Sequence, residues 1–192
     1  MSRLLFLPLV LAAFTALAKA EQANPPYSES LRFSCFDKPF LSISAHSPKH
    51  DRFPDIQLEV TDGLGQRAGY GNYQRRIPES HYGKIAEIPK APDRSRAVAV
   101  EVCNAKPGRY TFTISEHGNF PYRISVTGDD GTGSNTGNET RIIYWQSNED
   151  RVCRLSFDFL VSGGKVRIRW LDKENHPLPF AVPPGCDPVP RA

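Results

Sequence analysis

Apolar and polar residues alternate with a period of two over most of this chain, the signature of sheets with one wet face. LRFSCF and FLSISA predict one interrupted strand or two short ones, broken at Asp37-Lys38-Pro39. In DIQLEV, Ile56, Leu58 and Val60 point one way and Gln57 and Glu59 the other. Asp62-Gly63 and Leu64-Gly65 then turn the chain, since Asp and Gly tolerate the positive φ that tight turns need. Regular structure is expected to stop there for about thirty residues, a length more often functional or mobile than ordinary. Pro78, Pro89 and Pro92 oppose a long helix, and only Ser80 to Ile88 could hold a turn or two.

Strands resume at RAVAVEVC, with Val98, Val100 and Val102 on one face. After the turn Lys106-Pro107-Gly108, RYTFTIS sends Tyr110, Phe112 and Ile114 inward; EHGNFP reverses the chain into YRISVT, with Tyr122, Ile124 and Val126 in line. Residues 128 to 139, GDDGTGSNTGNE, have little to bury and predict an exposed loop that carries the sequon Asn138-Glu139-Thr140. The last unit fixes its own register. A two-residue Gly163-Gly164 turn sets Val161 against Val166, Phe159 against Ile168 and Phe157 against Trp170, with Asp158 opposite Arg169 on the wet face. A slip of one residue would bury two arginines. About eight strands with no amphipathic helix predict an all-β fold, an antiparallel sandwich or jelly roll with a long irregular loop after the second or third strand.

Domain organisation follows from the ends. Residues 1 to 20 read as a secretory signal peptide, with Arg3 at the positive end, an apolar run from Leu4 to Leu17, and the small-x-small site Ala18-Lys19-Ala20. That run, interrupted by Pro8, is shorter than the roughly 20 residues a membrane-spanning helix needs, so no span is expected after cleavage. Residues 21 to 30 are a flexible lead-in, 31 to 175 one sandwich domain, and 176 to 192 a proline-rich tail expected to run irregularly over the surface. Removing Arg3 and Lys19 from the 24 basic residues leaves 22 against 21 acidic ones, and the full-chain charge of +3 drops to +1. With no concentrated basic patch or recognition motif, nucleic acid is not an expected partner.

Four cysteines, Cys35, Cys103, Cys153 and Cys186, read as two disulfides in an exported chain. Three pairings are open, and the one expected is Cys35 with Cys103 and Cys153 with Cys186, which would pin the tail to the sheet.

Candidate chemistry is sparse. No Gly-x-Ser-x-Gly elbow is present. His46, His50 and Asp51, with Asp55 nearby, could ligate zinc in a metal-assisted hydrolase, although Pro48 breaks any regular spacing and a solvated loop explains them equally well. Asp129 and Asp130 with Ser134 and Asn135 could offer oxygens to calcium but complete no known calcium-loop pattern. Glu59, Glu101 and Asp158 fall on predicted wet faces and need no catalytic role. The richest surface is the long loop. Arg67, Tyr70, Tyr73, Arg75, Arg76, His81 and Tyr82 combine flat rings with cationic donors, a mixture suited to stacking on sugars or gripping anions. Tyrosines that fold back to cover an open sandwich edge would give the same composition.

Ser47-Pro48, LEVTDGLGQRAGY, Ile77-Pro78 with Tyr82-Gly83, KPGRYTFTI and PYRISVTG together resemble a β-sandwich module of secreted bacterial proteins. It is similar to the pre-peptidase C-terminal domains, which commonly read valine-threonine-aspartate-proline-x-glycine-arginine-arginine before a loop and proline-glycine-x-tyrosine after it. The resemblance spans roughly Ala45 to Gly128. The chain departs from it with Gly63 in place of proline and Gln66 in place of the first arginine. The family transfers no catalytic residues. It implies an exported accessory, binding or stabilising module and adds no substrate. From composition and position, the expected partner is an extracellular or envelope protein or a glycan met through the long loop, with no cofactor; a metal-assisted hydrolase and a structural envelope protein are the alternatives.

Overall fold

The structure, a computed structural model, describes residues 35, 37–46, 56–71, 73–74, 76–86, 96–116, 121–132, 137–146, 151–179 and 188–190. Its strands are β1 (Phe40–His46), β2 (Ile56–Asp62), β3 (Arg67–Gly69), β4 (Ser80–Ala86), β5 (Arg96–Cys103), β6 (Gly108–Glu116), β7 (Pro121–Asp129), β8 (Glu139–Gln146), β9 (Arg151–Ser162), β10 (Lys165–Trp170) and β11 (Pro188–Pro190). They form two antiparallel sheets. One runs β4-β5-β1-β7-β8; the other runs β10-β9-β6-β2-β3, with β11 beside β9. The fold is the expected all-β sandwich, built from more strands than the pattern announces. Among the described residues no helix is long and apolar enough to cross a membrane.

The terminal hairpin has the expected register, with Val166 on Val161, Ile168 on Phe159, Arg169 on Asp158 and Trp170 on Phe157. Gly163 and Gly164 have φ of 58° and 67°, the left-handed pair that a tight turn matching strand twist requires. Asp158 forms its ion pair with Arg109 of β6 at 3.3 Å, on the other side from Arg169. The inner face of this sheet is aromatic. Tyr110, Phe112, Phe157, Phe159 and Trp170 pack with ring centroids 5.6 to 6.4 Å apart, and each ring fully removed from water contributes about 1.5–3 kcal/mol. The facing sheet answers with Leu41, Ile43, Val98, Val100, Ile124 and Val126. Where β7 meets this cluster a Cβ on Gly128 would lie 2.5 Å from Val166 Cγ1, so only glycine fits.

Four expectations are corrected. β3 and β4 lie inside the segment expected to be irregular, and Ser80–Ala86 is a strand instead of a helical turn. β4 borrows its regularity from β5, pairing Ser80 with Val102 through Ala86 with Arg96, so it needs little apolar alternation of its own. Glu101 is 2% exposed, not on a wet face, because both faces of β5 are covered: Ala97 and Ala99 are as buried as the valines between them. The tail is irregular only in part, because Pro188 pairs with Cys153 and Val189 with Val152. Proline is tolerated in β11 because it sits at a sheet margin, where a missing N–H costs no ladder bond.

Cys35 and Cys103 are disulfide-bonded across 68 residues of chain, as expected; a crosslink of that span contributes roughly 2–4 kcal/mol. Cys153 is bonded too. Cys186 lies outside the described residues, two positions before the Pro188 that pairs with Cys153.

Candidate functional site

The candidate surface lies where β2, β3 and β4 meet at one side of the sandwich. Asp62 makes the turn after β2, its Oδ1 accepting the amides of Leu64 at 2.9 Å and Gln66 at 2.8 Å. Gly65, at φ 75°, completes the reversal, and β3 returns with Arg67 opposite Thr61 and Gly69 opposite Glu59. Gly69 is required there: its φ is 123°, and a Cβ would lie 2.1 Å from the Leu58 oxygen. The Tyr70 amide then donates to that oxygen at 2.8 Å. Further on, Arg76 bridges in parallel to Arg67, and the Ile77 amide donates to the Arg67 oxygen at 2.9 Å. Ile77 is buried in the core, so the chain reaches β4 along a fixed path between the two sheets.

The tyrosines secure that path. Tyr73 shares its hydroxyl proton between Glu59 Oε2, at 3.0 Å, and the main-chain oxygen of Tyr70. Burial, then the charge of Glu59, pushes the Tyr73 hydroxyl well above the usual tyrosine range, so it stays neutral and donating. Arg67 Nε lies 3.7 Å from Glu59 Oε1, and its guanidinium carbon stands 6.0 Å from the Tyr73 ring centroid. Tyr82 donates to the Ile56 oxygen at 3.2 Å and meets Tyr70 edge-on at 6.2 Å. Arg76 donates through Nη2 to the Ser80 oxygen at 3.3 Å, and Ser80 caps the Ile77 oxygen at 2.7 Å.

Five of the seven expected residues therefore converge: Arg67, Tyr70, Tyr73 and Tyr82 through side chains, and Arg76 through the main-chain bridge. His81 does not join them. It alternates with Tyr82 along β4 and stands exposed on the outer face, opposite Glu101. Arg75 lies outside the described residues. Glu59 organises the cluster and was passed over in the sequence, because an acid on an alternating strand reads as ordinary solvated surface.

No known protein family, curated protein or solved structure matches this chain. What it does has to follow from its own residues.

The expected metal sites fare differently from the loop. His46 ends β1 at 8% exposure, with Nε2 2.9 Å from Ser44 Oγ. His50, Asp51 and Asp55 lie outside the described residues, as do Ser134 and Asn135 of the calcium candidate. Asp129 and Asp130 are described and each accepts a local amide, from Gly131 at 2.7 Å and Thr132 at 2.9 Å. One further group, unread in the sequence, brings its ligand atoms within 4.8 Å of one another: Asp172, Glu174 and His176. A turn explains it. Asp172 Oδ1 accepts the His176 amide at 2.8 Å, and that bond is the main reason its carboxyl is held below the usual range.

Proposed function

We propose that this chain is an exported, non-catalytic β-sandwich that binds a partner surface, protein or glycan, through the β3–β4 side. One observation carries the reading. Arg67 is 54% exposed at its side chain, yet its position is set by Glu59, the Tyr73 ring and the main-chain bond from Ile77. A guanidinium held out to solvent before a ligand arrives loses little rotamer freedom on binding. Arg76, also exposed, stands beside it on the bridged strand, and the half-buried ring of Tyr70 supplies a flat face. Two forked donors and a ring suit a sugar carrying a carboxylate, or an acidic protein patch.

Export is supported by the leader-like first twenty residues and by the Cys35–Cys103 disulfide, which is compatible with an oxidising compartment. The accessory role is supported by the resemblance to pre-peptidase C-terminal domains. Tyr73 and Tyr82 hold the wall together, so the exposed cations are the informative targets. The probe is an array of neutral and uronate-bearing glycans, followed by titration of the strongest hit. Arg67→Ala with Arg76→Ala should weaken that hit at least tenfold without moving the melting temperature. Binding that survives the double substitution would put the contact elsewhere on the molecule.

A further inference from the structure

The β10-β9-β6-β2-β3 sheet turns its aromatic face inward and a basic face outward. Paired residues share a face, so the register sets Lys165, Arg167 and Arg169 of β10, Arg154 of β9 and Arg109 of β6 together on the outside. Arg67 of β3 stands at the far margin, in line with Thr61, Thr111 and Ser156. The same outward rows hold the acids Glu59 and Asp158, and both are recessed. Their side chains are 31% and 22% exposed, against 54% for Arg67 and 44% for Arg109, the cations they pair with. Arg154, Lys165 and Arg167 are exposed, and among the described residues no ion pair reaches them. The outermost layer of this face is therefore positive.

The whole chain carries a formal charge of only +3, from 24 basic and 21 acidic residues, so the excess here is segregation of charge and not general basicity. Sequence order conceals it, because the cations lie on separate strands and meet only through pairing.

The arrangement selects among anionic partners. The cations spread in two directions, at every second residue along β10 and across the ladder to β6, as a plane of charge requires. No aromatic ring occupies an outward position of β6, β9 or β10, so bases and sugar rings find no stacking platform. A sheet face also offers nothing that enters a duplex groove. Arginine dominates the set, and its planar fork matches phosphate oxygens. We propose that this face docks on the anionic phospholipid surface of a membrane, its arginines reaching the headgroup phosphates. None of the exposed large apolar residues lies on β6, β9 or β10, so the contact is electrostatic and stays at the headgroups. The docking does not depend on the role proposed for the β3–β4 side.

The test floats the full chain with vesicles of phosphatidylcholine alone and of phosphatidylcholine mixed with phosphatidylglycerol. The chain should bind the anionic vesicles and not the neutral ones, and the binding should weaken as salt rises. The triple variant Arg154→Gln, Lys165→Gln, Arg167→Gln should bind at least about tenfold more weakly with an unchanged melting temperature. Arg67→Ala with Arg76→Ala should bind vesicles as the parent does, which separates this face from the β3–β4 side. Equal binding to neutral vesicles, or a natively folded triple variant that binds as tightly as the parent, would overturn the proposal. So would a parent chain that ignores anionic vesicles yet is retained by dextran sulfate or duplex DNA, which would assign the face to a soluble polyanion.

Discussion

The sandwich closes its two sides with different chemistry. On one side the chain itself crosses from β3 to β4, sealed by main-chain bonds to the Leu58 and Arg67 oxygens and by tyrosine hydroxyls on Glu59, Tyr70 and Ile56. On the other side β10 would present a bare edge, and a carboxylate covers it. Glu139 Oε2 accepts the Ile168 amide at 2.8 Å, Oε1 pairs with Arg141 at 2.5 Å, and the Val166 amide finds the Gly137 oxygen at 3.0 Å. Both devices protect an edge from pairing with another chain. The first is a covalent strap and leaves cations outside; the second is a side-chain patch that depends on charge.

That contrast ranks the substitutions that would break it. The strap depends most on Gly69, where any side chain meets the Leu58 oxygen in a left-handed backbone. Gly69→Val should cost upwards of about 2 kcal/mol, read as a lowered urea midpoint, because strain and collision act together. The carboxylate patch should cost less. Glu139→Ala orphans the Ile168 amide and should lose about 1–3 kcal/mol, whereas Glu139→Gln keeps an acceptor and should lose under about 1 kcal/mol. Equal losses for the two would show that the amide contact is not what Glu139 supplies.

Tyr73→Phe comes last. It removes a shared hydroxyl bond worth about 1 kcal/mol. Its effect should also depend on pH. The native Tyr73 keeps its proton where an unfolded tyrosine loses it, so its contribution is full below about pH 10 and declines as pH rises through the higher native value. The gap between parent and Tyr73→Phe should therefore narrow between urea titrations at pH 8 and at pH about 10.5. A constant gap would mean that the hydroxyl titrates normally.

The same contrast explains what could be read from the chain. The β9–β10 hairpin was legible to the residue pair, because Gly163-Gly164 and three apolar cross-strand pairs admit one register. The inward faces of β2, β6 and β7 followed from alternation alone; the even cysteine count announced disulfides but left three pairings open, of which the structure shows Cys35–Cys103. The strap left no such trace. β3 is three residues long, β4 is ordered by its pairing with β5, and the bonds that fix Tyr70 and Ile77 are made by main-chain atoms, which have no composition. The clustering of Arg67, Tyr70, Tyr73 and Tyr82 was legible because neighbours in a loop end as neighbours in space. Glu59 was not, since its partners come from the loop that folds over it. His81 was misplaced with the cluster because the strand that turns it to the outer face was itself unread.

Amide hydrogen exchange bears most directly on whether the described residues between β3 and β4 form a fixed wall or an open loop. The Tyr70 and Ile77 amides, bonded at 2.8 and 2.9 Å, should exchange at rates approaching those of the strands beside them. Exchange at the rate of an unstructured chain would contradict the wall, and with it the pre-set position of Arg67.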